Sequence, residues 1–116
     1  MPTSEQHFQH AWDNGSKIKP TTPRQHEILV HLTEEAGEVI QEICKIERYG
    51  LGSSHPDEPK IPNKTRLERE VADFLGTCAL LSECGEDVFS MNNVMVLVPA
   101  VKDKKRKRFL SPPDAA

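Results

Sequence analysis

The sequence predicts an all-α fold: a small helical bundle of two long antiparallel amphipathic helices plus shorter helices, completed by oligomerisation. Three observations predict it. Two long stretches carry apolar residues at helical three- and four-residue steps, each opens on a helix-start signal, and the one β-branched run has no second run to pair with. A chain of 116 residues and 13.1 kDa holds a single core. Leu, Ile, Val and Phe supply only 27 of those residues, so that core is small.

Residues 1–21 read as a loosely ordered segment, because Gly15 and Pro20 interrupt any period around Phe8 and Trp12. The helical domain spans 22–110. Thr22 before Pro23 gives a hydroxyl N-cap and a proline whose fixed φ suits the first helical turn, and the helix runs to about Tyr49. Leu29, Leu32, Ala36, Val39, Ile40 and Ile43 form its expected buried stripe, and Gly50 and Gly52 stop it. Gly50 to Asn63 is rich in Gly, Ser, Pro and Asp, the composition of a surface loop. Thr65 with Glu68 reads as a capping box for a second helix, with Leu67, Val71, Phe74, Leu75 and Cys78 on its stripe and Cys84-Gly85 at its end. Val94 to Val98 is β-branched, but a lone strand has no partner, so the reading is a third helix with Pro99 in its first turn, continuing to Leu110. Residues 111–116 read as a disordered tail.

Net charge is −3, yet Lys102 to Arg108 carries six positive charges and one negative, which leaves −8 for the rest of the chain. An acidic body beside a basic segment suits a shared anionic, metal-bridged ligand, and equally a solvated tail. Mean hydropathy is −0.57, and the longest apolar run falls far short of the roughly 20 residues of a membrane span. The start lacks the features of a signal peptide, and Cys44, Cys78 and Cys84 read as free thiols, so the expected compartment is cytoplasmic.

On a helical wheel at about 100° per residue, Glu35, Glu38 and Glu42 fall within roughly 60° beside the first apolar stripe. Glu70 and Asp73 repeat the i, i+3 spacing and the same offset on the second helix. Packing the stripes together makes Glu35, Glu38, Glu70 and Asp73 converge, and four like charges demand cations. Hard oxygen donors without histidine or thiolate favour Mg²⁺ or Mn²⁺, and Mg²⁺ commonly bridges carboxylates to phosphates. Gly37 and Gly76, inside helices, are expected to mark close backbone approach. Glu34, Glu42 and Glu47 read as solvated face residues.

These motifs carry a resemblance. Glu34-Glu35-Ala36-Gly37-Glu38 followed by Glu70-Val71-Ala72-Asp73 resembles the EExxE and ExxD motifs of the MazG-like all-α nucleoside triphosphate pyrophosphohydrolases, and the layout from Thr22 to Leu110 fits over about three quarters of the chain. The resemblance implies cleavage of an NTP or dNTP to the monophosphate and pyrophosphate, with Mg²⁺ on Glu35, Glu38, Glu70 and Asp73. It also implies substrate-binding roles for Arg66, one turn before the second motif, and for Lys102 and Arg106 at i, i+4 on the last helix. It further points to a homodimer or homotetramer. Two departures bear on substrate choice: 31 residues separate Glu38 from Glu70, more than in compact members, and Lys105 stands where some members have asparagine.

Under that reading Glu38 or Glu34 takes a proton from the attacking water as general base. Trp12, one turn from Phe8, either stacks on a nucleotide base or joins a small patch closing the bundle. His26 and His31 are i, i+5 and so cannot share a zinc ion from one helix face, and no P-loop is present. The rival class is a non-catalytic helical interaction module whose basic C-terminal helix binds nucleic acid or a partner protein. The acidic body and six aromatic residues argue against nucleic acid.

Overall fold

The computed structural model describes residues 21–112, which form three helices. The expected segment around Phe8 and Trp12, and residues 113–116 of the tail, lie outside the described residues. Helix α1 spans Pro23–Tyr49, α2 spans Asn63–Glu83 and α3 spans Met91–Phe109. No strand occurs among the described residues, so the chain is all-helical there, and none of its helices is long and apolar enough to cross a membrane.

Helix α1 starts where its sequence signal places it. The Thr22 hydroxyl accepts the Gln25 N–H and the Gln25 side chain accepts the Thr22 N–H, each at 3.1 Å, satisfying two donors that an uncapped helix leaves orphaned. At its other end Gly50 takes φ +94°, open to glycine without a Cβ clash, and donates to the Ile46 carbonyl at 2.8 Å.

Helix α2 corrects the expected Thr65 capping box: it begins at Asn63, after Pro62, with no side-chain cap. The loop supplies the missing acceptors. Asn63 donates its N–H to the Ser53 carbonyl at 2.7 Å and Lys64 to Leu51 at 3.0 Å, while the Asn63 amide donates to the Gly50 carbonyl at 3.1 Å. Buried Asn63 thus ties the end of α1 to the start of α2.

Helix α3 also starts earlier than expected. Ser90 caps it by accepting the Asn93 N–H at 3.2 Å, and Met91 donates to the Ser82 hydroxyl at 3.2 Å, so Val94 to Val98 is helical and Pro99 lies inside the helix rather than in its first turn. Lacking an N–H, Pro99 leaves one helical bond unmade there.

Helices α1 and α2 pack along a seam whose residues alternate steps of four and three. On α1 these are Ile28, Leu32, Glu35, Val39, Glu42 and Ile46; on α2 they are Asn63, Leu67, Glu70, Phe74, Thr77 and Leu81, all buried or half-buried. Such a row keeps one face turned to its partner, as in a coiled coil. The expected stripe is therefore rotated: Leu29, Ile40 and Ile43 on α1 and Val71 and Leu75 on α2 are exposed, Ile40 at 60%. Two helices bury one narrow seam, and a wider apolar stripe needs a third element. Helix α3 does not supply it, because it touches α2 but not α1 and leaves Leu97, Val98 and Val101 exposed. The radius of gyration, 19.0 Å, exceeds the ~13 Å of a compact domain of this size.

No described part of the chain comes close to Gly37 or Gly76: a Cβ at either position meets nothing within 4 Å among the described residues. Cys78 is buried, which pushes its thiol pKa up, while Cys84 is half-buried and Cys44 exposed.

Candidate functional site

The seam brings carboxylates from both helices together. Glu35 and Glu38 of α1 and Glu70 of α2 each place an oxygen so that all three lie within 4.8 Å of one another. Glu35 and Glu70 reach this point because they occupy seam positions, while Glu38, one turn on, stands exposed at the seam's edge. The Oε2 atoms of Glu35 and Glu70 are buried and have no hydrogen-bond partner among the described residues. Asp73 is exposed and stands outside this trio, yet its charge acts on both Glu35 and Glu70.

Crowding of like charge shows in the acidities. Glu70 is pushed up to about 7, first by a hydrogen bond shared with Glu38, then by burial and by the charges of Glu38, Asp73 and Glu35. Glu35 is raised by desolvation and by the charges of Glu38 and Asp73, with smaller contributions from a hydrogen bond to Glu38 and from Glu34. The protonated form of Glu70 is thus favoured where the two helices bring their carboxylates together.

No protein-family model, curated protein or solved structure matches the chain.

The trio fits a hard divalent cation: its donors are all carboxylate oxygens, neither histidine nor thiolate belongs to the group, and two buried oxygens lack partners. The remaining expected residues are distributed differently. Glu34 is exposed and pairs with His31 at 3.6 Å, outside the trio. Arg66, one turn before Glu70, pairs with Glu58 at 3.3 Å and lines a cavity at the loop end of the seam. Lys102 and Arg106 are exposed on α3, which does not approach the carboxylates within one chain. Trp12 lies outside the described residues.

Glu42 is a correction. Expected on a solvated face, it is buried at 7% exposure, accepts from Lys45 at 3.1 Å and leaves its second oxygen unpartnered. The strict four-and-three steps from Ile28 to Ile46 were the available signal, since they pass through Glu35 and Glu42.

Proposed function

We propose that the chain is a metal-dependent nucleoside triphosphate pyrophosphohydrolase, releasing a nucleoside monophosphate and pyrophosphate from an NTP or dNTP. The observation that supports this most is the trio of Glu35, Glu38 and Glu70 oxygens within 4.8 Å, with two buried oxygens lacking partners. The MazG-like motif resemblance supplies the substrate class, and Asp73 would complete the ligand set.

Mg²⁺, with Mn²⁺ as an alternative, would be held by these carboxylates and would supply charge neutralisation for the polyphosphate. Glu38, exposed at the seam's edge beside the trio, would accept the proton of an attacking water, whereas Glu34 stands outside the trio. Water adds to the α-phosphorus, the bond from that phosphorus to the bridging oxygen breaks, and pyrophosphate leaves with the bonding pair. Cationic side chains on the leaving group stabilise the charge that develops there.

Lys102 and Arg106 fit that last role only in an assembly. Neither makes an ion pair among the described residues, in contrast to Lys107, which pairs with Asp103 at 3.1 Å. A homodimer or higher oligomer that seats α3 on the exposed rows of another copy would cover Ile40, Ile43, Val71 and Leu75 and carry the two cations toward that copy's carboxylates. The opposite charges of α3 and the acidic seam edge favour this arrangement. Assaying pyrophosphate release from each common NTP and dNTP with Mg²⁺ tests the activity.

A non-catalytic helical module, with α3 docking on a partner protein, is the second reading. Its supporting observation is the exposed apolar side of α3 continued by its basic end.

A further inference from the structure

At the loop end of the α1–α2 seam lies a cavity of about 670 Å³, within the size range of small-molecule sites and far larger than a lone oxyanion needs. Lys45 and Arg48 line it from the last turns of α1, Arg66 from the first turns of α2, and Tyr49, His55 and Pro56 complete much of its wall. Three permanent cations thus face one space, and no carboxylate is among the lining residues. The neighbouring acids engage the cations only in part. Lys45 is held by Glu42 at 3.1 Å and Arg66 by Glu58 at 3.3 Å, but the Arg66 Nε is buried with no acceptor, and Arg48 makes no ion pair among the described residues. A guanidinium with an unsatisfied N–H is incompletely neutralised by Glu58, so an anion in the cavity would gain charge-assisted hydrogen bonds from it.

We propose that this cavity binds a phosphate-bearing small molecule, with the phosphate accepting from the guanidinium groups of Arg66 and Arg48 and the organic part resting against Tyr49 and Pro56. Guanidinium groups suit this ligand because their planar donors match phosphate oxygens in pairs. The backbone does not contribute, since the first N–H groups of α2 are already used by Ser53, Leu51 and Pro62 carbonyls. Specificity therefore rests on side chains, and binding requires no metal. The inference stands apart from the carboxylate trio and does not depend on hydrolysis.

The test is a titration of the full chain with phenyl phosphate in EDTA, followed through the arginine Nε–Hε resonances. Saturable shifts of Arg66 and Arg48, absent with phenol, are expected. Arg48→Gln, at an exposed position that tolerates the change, should weaken binding about tenfold, the equivalent of one charge-assisted hydrogen bond. Lys104→Gln on α3 should leave it unchanged. Absence of a saturable Arg66 shift, or equal weakening by Arg48→Gln and Lys104→Gln, overturns the proposal.

Discussion

Glu38 and Glu70, on different helices, bring carboxylate oxygens within 4.8 Å of each other across the α1–α2 seam, and hydrogen bonding to Glu38 is the largest cause of the rise of Glu70 to about 7. A carboxyl raised in this way favours its protonated form, and a bound cation would favour the ionised one. The contribution of Glu70 to stability therefore depends on pH in the sense opposite to that of an ordinary salt-bridged acid.

Without metal, folded Glu70 binds a proton that the unfolded chain, with an ordinary value of 4.5, has already lost. Stability contributed by this group is present below about pH 4.5 and is lost as pH rises toward 7. Mg²⁺ competes with that proton, so the Mg²⁺-induced rise in Tm should be larger at pH 8 than at pH 6. Thermal scans at both pH values check this; equal shifts would count against carboxylate ligation by the trio.

Open space around Gly37 and Gly76 gives a prediction about stability alone. Each alanine replacement should stabilise by about 1 kcal/mol, the helix-propensity difference, because no neighbour must move. Urea unfolding of Gly37→Ala and Gly76→Ala measures it, and destabilisation of either would mean that an unseen neighbour packs there.

Burial of Glu42 with one unpartnered oxygen predicts that Glu42→Leu stabilises the chain by about 1 kcal/mol, since a leucine completes the apolar seam and Lys45 remains free to reach water. Calorimetry decides it: a lower Tm would show that Glu42 has a partner it cannot lose.

Assembly and the role of α3 are tested together by mixing variants. Glu70→Gln and the double variant Lys102→Ala/Arg106→Ala should each be inactive or nearly so, while their mixture recovers part of the activity as mixed dimers form. Light scattering should show a dimer or larger at micromolar concentration. A stable monomer, or no recovery on mixing, would remove α3 from the catalytic apparatus.

Helix positions were legible wherever the signal was local. Thr22-Pro23 and Gly50 bracket α1 as expected because capping and positive φ are properties of a few adjacent residues. The start of α2 was not legible, since its donors are satisfied by Leu51 and Ser53 carbonyls, contacts that depend on how the loop folds back. Pairing of Glu35 and Glu38 with Glu70 followed from matched spacing. The burial of Glu42 did not, because its place beside the stripe fits a solvated carboxylate equally well and carboxylates are rarely buried. The cavity around Lys45, Arg48 and Arg66 was not legible either, since its walls come from three separate segments of the chain.

The most direct test of the central claim is product analysis with each of the common NTPs and dNTPs at saturating Mg²⁺, on the wild-type chain and on Glu35→Gln and Glu70→Gln variants of unchanged helicity. Hydrolysis between the α and β phosphates should yield monophosphate and pyrophosphate from at least one nucleotide, vanish in EDTA, and fall by on the order of a hundredfold or more in both variants. Absence of Mg²⁺-dependent pyrophosphate release from every nucleotide, or full activity in both variants, would contradict it.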